Sequence, residues 1–425
     1  MAGNRRPFVT HTLVLLLILA AAIFAVTRFV RIETVIGDVV ITLQQADEHS
    51  FPAPDPEDRP VAVERRSEPL PDPTVAPRNV VLIIGDGMGI GHLSTASALF
   101  HGPHGRLAME TAPATALVKT ASGNALVTDS AAAATAMATG FTTDTKKISR
   151  LPDGREPLTL LEAAKTRGLA TGVITTAGMA GATPAAFVTH AESRTDYRHI
   201  LEGMVSSEVD ILIGGDWQLH RKARVRPDYI EAVRSVESTV GGRYTVVRDE
   251  EALAAAQIPV LALFPARPGR PESHGPRLVR SAGFALGRLA EAAGGFVLVL
   301  ECEDTDEAAH TTDLAGLTEA MAELDEAVAA VLDFARERGD TLVLVTADHD
   351  TAGPGIVDGK FAERIAEVRW LTNAHTANWV PLFAFGPGSD QFRGVLDNTE
   401  IPRIIGRLLE LDRFPDADGN TPFID

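Results

Sequence analysis

Six short apolar runs constrain this chain more than any other feature. They are "NVVLIIGD" at 79–86, "LATGVITT" at 169–176, "VDILIGGD" at 209–216, "GGFVLVLE" at 294–301, "TLVLVTAD" at 341–348 and "VPLFAFG" at 380–386. Each is too short for a helix and each stops at a polar break. A half-buried strand alternates apolar and polar residues, whereas a strand covered on both faces does not. These runs therefore belong to a parallel sheet with helices on each side. Amphipathic segments lie between them. The clearest is 314–338, where Leu314, Leu317, Met321, Leu324, Val328, Val331 and Leu332 recur at three- and four-residue spacing ahead of Gly339. The alternation predicts an α/β fold, a mostly parallel central sheet sandwiched by helices and joined by right-handed crossovers. The stretch 217–280 is basic, Pro-rich and less regular, and reads as a peripheral insertion.

The ends of the chain read differently. From Phe8 to Val30 the sequence is almost wholly apolar and long enough to span a bilayer, with Arg5 and Arg6 before it. Ala20–Ala22 resembles a cleavage region, but Ile23, Phe24 and Val26 extend the apolar run past it. The expectation is a cytoplasmic tail over 1–7 and an uncleaved transmembrane anchor over 8–30, with the rest exported. Residues 51–78 carry eight prolines and no apolar period, so 31–78 is expected to be a Pro-rich spacer and 79–425 the catalytic domain.

Net charge sets limits on the partner. At −18 the chain has nothing to neutralise a nucleic-acid backbone, so nucleic acid is not an expected partner. An anionic substrate would need bound cations, often the largest local charges in a site. Cys302 is the only cysteine, which excludes an intramolecular disulfide and a cysteine-rich zinc site.

Ligands of open α/β sheets bind outside the carboxyl ends of the strands. There the sequence gathers Asp86, Glu301, Asp348 and His349. Asp306 and His310 share a face if their turn is helical, and His375 stands just before the last run. Carboxylates and imidazoles together suit zinc, with magnesium where oxygens dominate. A further segment, "LVTDSAAAATAMATG" at 126–140, puts an Asp-Ser pair in front of very small side chains. Two readings are open at this point. One is a capped helix packed closely on its neighbours. The other sets the Ser130 hydroxyl at the positive end of a helix dipole, where an anion can sit.

Five motifs, in order, resemble those of alkaline phosphatases: "IIGDGMG" at 83–89, "VTDSAAAATAMATG" at 127–140, "ATPAAFVTHAESR" at 182–194, "TADHDTAG" at 346–353 and "HTANWVPLFAFGPGS" at 375–389. The spacing of Glu301, Asp306 and His310 in "ECEDTDEAAH" resembles the family as well. The likeness covers about residues 79–410. It implies a phosphomonoesterase with two Zn2+ and one Mg2+, small phosphate monoesters as substrates and a homodimer. Ser130 would be the nucleophile. Asp306, His310 and His375 would hold one zinc; Asp86, Asp348 and His349 the other. Asp86, Thr183 and Glu301 would hold magnesium. Arg194 would bind the phosphate and Asp129 would orient it. Gly181, two positions before Thr183 where relatives usually carry Asp or His, implies a weaker and more hydrated third site unless another residue, such as one from 217–280, fills it. A phosphodiesterase of the same superfamily and an inactive tethered phosphate- or metal-binding protein are the rival readings.

Overall fold

The computed structural model describes residues 75–415 apart from 103, 217–218, 221–223, 226, 241, 268–269, 275–276, 361–364 and 413, together with three short strands before residue 53. The chain divides into units 1–49 and 50–425. In the first, Ile32–Ile36 pairs antiparallel with Val39–Leu43, within the span expected to be spacer. The apolar 8–30 segment lies outside the described residues. Among those described, no helix is long and apolar enough to cross a membrane.

The second unit is built on a 10-stranded sheet. In chain order its strands are β1 Asn79–Gly85, β2 Ala114–Lys119, β3 Ala170–Gly178, β4 Ile211–Gly215, β5 Thr245–Val247, β6 Val260–Phe264, β7 Phe296–Cys302, β8 Thr341–Thr346, β9 Val380–Phe385 and β10 Gly394–Asp397. They lie in the order β5-β6-β4-β3-β7-β1-β8-β9-β2-β10. Only β9 runs against the rest, pairing antiparallel with both β8 and β2. All six apolar runs are strands of this sheet, and β1, β7 and β8 are buried along their whole length. The 217–280 stretch does not stand apart from the sheet. Its β5 and β6 extend the edge beyond β4 in parallel register. Proline on both sides of "VLALF" masks that strand in the sequence.

Two helical layers cover the sheet. Ile90–His101, Leu278–Leu289 and Leu314–Arg338 pack together in one. Ser130–Thr139, Leu160–Thr166, Ala182–Val188 and Glu400–Leu408 form the other. The 25-residue helix Leu314–Arg338 ends where the spacing places it, with Gly339 left-handed at φ 72°. In Ser130–Thr139 every residue is buried. Its alanines let the backbone approach Ala182–Val188, itself made largely of small residues, and that close approach fixes where Ser130 stands.

Candidate active site

The parallel strands deliver their carboxyl ends to one edge, and the register decides which side chains meet. Glu301 is level with Ile84 on one neighbour and Thr175 on the other; Thr346 is level with Ile84 on the far side. Asp86 and Asp348, each two residues further on, therefore emerge side by side. Gly87 makes this junction possible. It has φ +69°, and a Cβ there would stand 2.7 Å from Thr351 Oγ1 and 2.8 Å from Asp306 Oδ1. Its N–H donates to Asp348 Oδ1 at 3.0 Å, and the His349 N–H donates to the same oxygen at 2.9 Å. One Asp348 oxygen is thus fixed by the backbone, which turns the other toward Asp86.

Among the described residues, four groups of side chains offer ligand atoms within 4.8 Å of one another: Asp306, His310 and His375; Asp86, Asp348 and His349; Asp86, Glu301 and Glu303; and Glu303, Asp306 and Glu307. The first two are the expected sets. In all three histidines the Nδ1–H is donated away from the cluster. His310 gives it to the Asn373 carbonyl at 2.9 Å, His375 to the Thr128 carbonyl at 2.9 Å and His349 to Thr351 Oγ1 at 3.2 Å. Every Nε2 then faces the cluster, as a metal-binding imidazole requires. His310 and His375 bring their Nε2 atoms to 3.1 Å, and without a cation His310 Nε2 pairs with Asp306 Oδ2 at 3.2 Å instead. Burial and the charge of His375 push the His349 pKa well below the usual histidine range, and burial lowers His375 too. Both are neutral and able to coordinate.

The carboxylates tell the same story through atoms left without partners. Both Asp86 oxygens, Asp348 Oδ2, Glu301 Oε1 and Thr183 Oγ1 are buried and make no hydrogen bond. An unpaired buried polar atom is costly and rare, and here several converge. Thr175 Oγ1 donates to the other Glu301 oxygen, while the Thr183 hydroxyl acts on the same carboxylate without a hydrogen bond of good geometry. Burial and then Asp348 push the Asp86 pKa well above the carboxylate range, and burial raises Asp348 to about 8. Without cations these groups hold protons. The residues present fit divalent cations.

Ser130 is the first residue of its helix. Asp129 caps it by accepting from the Ala132 N–H at 3.1 Å. Ser130 Oγ lies 3.3 Å from His349 Nε2, at the mouth of the Asp86, Asp348 and His349 set. Asp129 also accepts from the Lys146 N–H and from Arg194 Nη1 at 3.2 Å, while the Arg194 N–H donates to the Lys146 carbonyl at 2.8 Å. The guanidinium is therefore pinned beside the serine. Burial opposes its charge, but Asp129 and Glu303 outweigh burial and raise its pKa.

Two residues escaped the sequence reading. Thr351 donates to Asp306 Oδ1 and accepts from His349 Nδ1, joining the two imidazole sets; its place two residues after His349 in "TADHDTAG" is the only hint. Glu303 completes the carboxylate set. It follows the end of β7 two residues after Glu301, as strand periodicity would allow.

A sheet that gathers imidazole and carboxylate ligands around a serine and an arginine is the framework of a metal-dependent hydrolase of phosphate esters. Comparison with known proteins agrees. A family model described as alkaline phosphatase matches residues 77–360. The chain is 35% identical over 411 residues to streptomycin-6-phosphate phosphatase of Streptomyces griseus, covering 79% of this chain and 90% of that one. The structure of alkaline phosphatase from the Antarctic bacterium TAB5 superposes with TM-score 0.68 at 26% identity, covering 80% of this chain and 99% of that one. A variant of the TAB5 enzyme, with TM-score 0.67 at 26% identity and the same coverage, has Mg bound in its M3 site. The chain belongs to the alkaline phosphatase family, and it is a phosphatase.

Proposed function

We propose that the chain hydrolyses phosphate monoesters through a phosphoserine at Ser130. The observation that carries this reading is the Ser130 hydroxyl, 3.3 Å from His349 Nε2, beside an arginine fixed by Asp129. Asp306, His310 and His375 would hold one zinc, Asp86, Asp348 and His349 a second, and Asp86, Thr183 and Glu301 would contribute to a magnesium site. Bound there, the cations lower the pKa of a coordinated hydroxyl and neutralise charge on the phosphoryl and leaving oxygens.

The chain's own groups do the rest. Arg194 presents a planar fork to two non-bridging phosphate oxygens, which a lysine cannot copy. The start of helix Ser130–Thr139 adds its positive dipole end. Ser130 loses its proton to solvent as its Oγ–P bond forms, and the P–O bond to the alcohol breaks. The departing alkoxide takes up a proton. Water then attacks phosphorus, the Ser130 Oγ–P bond breaks, and inorganic phosphate leaves while Ser130 regains a proton. A monoester offers the terminal oxygens this fork needs, so turnover of a chromogenic monoester should far exceed that of the matching diester. Comparable rates would favour a phosphodiesterase, and no turnover of either would favour an inactive binding protein.

We propose further, on the apolar 8–30 sequence alone, that the catalytic domain lies outside the cytoplasm, held by a membrane anchor. Protease added to intact cells should release an active fragment starting near Asn79; activity confined to the cytosol opposes that topology.

A further inference from the structure

The third cluster is not the one the family likeness implies. Asp86 and Glu301 are joined by Glu303, whose carboxylate has an oxygen within 4.8 Å of an oxygen on each. We propose that Glu303 is a ligand of the third cation, making the site a three-carboxylate, hard-cation site that takes magnesium or manganese rather than zinc. This rests on the two-zinc, one-magnesium reading above.

The bland explanation for Glu303 is a helix cap, since it directly precedes Asp304–His310. Its side chain makes no capping hydrogen bond. Instead its N–H is fixed on Thr176 Oγ1 at 3.0 Å, which holds the residue against the carboxyl end of β3 and turns the carboxylate inward. Glu303 also reaches Asp306 and Glu307, but Asp306 is already held, by Thr351 at one oxygen and His310 at the other. The buried acceptors that lack a partner belong instead to its other neighbours: Asp86 Oδ1 and Oδ2 and Glu301 Oε1. Asp86 and Glu301 are fully buried. Three carboxylates so placed repel one another unless protons or a cation intervene, and burial followed by the charge of Glu301 raises the Glu303 pKa well above the carboxylate range.

The position two residues before Thr183 cannot supply this ligand. A Cβ on Gly181 would stand 3.0 Å from the Gly178 carbonyl oxygen, so a side chain there is crowded by backbone. The charge comes from the β7 side of the site instead, and no residue of 217–280 is needed. In place of a weak third site, this predicts a firmly held one.

The test uses zinc-loaded enzyme titrated with Mg2+ by calorimetry. Glu303→Gln should weaken Mg2+ binding by about 10-fold or more, the scale on which ligand-sphere changes act, with zinc content unchanged. Should Glu303→Gln bind Mg2+ like wild type while Glu301→Gln is weakened, Glu303 is no ligand and the reading of the third site in the proposed function stands. If Glu301→Gln also binds normally, that third-site reading falls as well. A measurement on wild type guards against misfolded variants. With Mn2+ in the site, four protein ligands leave about two waters in an octahedral shell, countable by magnetic resonance in 17O-enriched water. About three waters would overturn the proposal.

Discussion

The imidazole and carboxylate halves of the site solve the same problem in opposite ways. Around His310, His349 and His375 each ligand is held by a second partner: Asn373, Thr351 and Thr128 fix the tautomers, and Thr351 also fixes Asp306. The charge balance there is favourable even without an ion. Burial works against ionised Asp306, yet its hydrogen bond and ion pair with His310 hold its pKa well below the usual carboxylate range. The half made by Asp86, Glu301 and Glu303 has no such internal balance. Both Asp86 oxygens and Glu301 Oε1 are buried and unpaired, and the half-buried Glu303 stands like-charged beside them. One half is organised before metal arrives; the other is completed by metal. A single residue, Asp86, belongs to both the second and third sets, so a cation lost from one set would change the charge facing the other.

The largest expected effect is chelation. Removing all metal should abolish phosphomonoester turnover, and zinc with magnesium should restore it. Full activity in a verified metal-free preparation would break the account of both halves.

The metal-free protein should then show the contrast through pH. Asp86, Asp348, Glu301 and Glu303 all have folded pKa values above their ordinary ones, with Asp348 near 8 against 3.8. A raised pKa stabilises the fold below the ordinary value and loses that contribution as pH rises through the folded one. The lowered histidines act with the opposite sign, below their ordinary 6.5. Between pH 6.5 and about 8 the raised carboxylates pull stability down as pH rises. Outside the site His190, raised against its burial by Glu162, adds to the same slope. The melting temperature of apoprotein should therefore fall as pH rises. Metal-loaded protein should not follow that slope. A flat apoprotein profile would mean the carboxylates are not forced together as described.

A smaller effect is expected at Thr351, which serves only the organised half. Thr351→Val keeps the shape but removes the bond to Asp306 and the acceptor for His349. Losing such an outer partner typically costs about 10–100-fold in metal affinity or activity. Zinc retention should drop while third-site Mg2+ binding holds. Equal loss at both would show that the halves are not separately supported.

The two halves also differ in how far they could be read without coordinates. Five of the six organised ligands follow strand ends or share a helical turn, patterns set by periods of 2 and 3.6 that the chain displays openly. Ser130 was ambiguous alone, because a capped alanine helix explains the same letters; the close packing of Ser130–Thr139 on Ala182–Val188 is a tertiary fact. Glu303 and Thr351 were illegible for another reason. Each lies two residues from an obvious ligand, and which side of the backbone faces the cluster depends on the turn after β7 and β8. The strands β5 and β6 were missed because β5 is three residues long and the five of β6 sit between Pro259 and Pro265, too few to show a period, and β9 gave no sign that it runs backwards.

The central claim is that Ser130 accepts the phosphoryl group. Incubating metal-loaded enzyme with radiolabelled phosphate at mildly acidic pH, quenching in acid and mapping the label by mass spectrometry tests it directly. One labelled peptide, carrying phosphate on Ser130 and absent from Ser130→Ala, is the predicted result. Turnover of phosphomonoesters by Ser130→Ala at the wild-type rate, with no label on Ser130 in the parent enzyme, would contradict it.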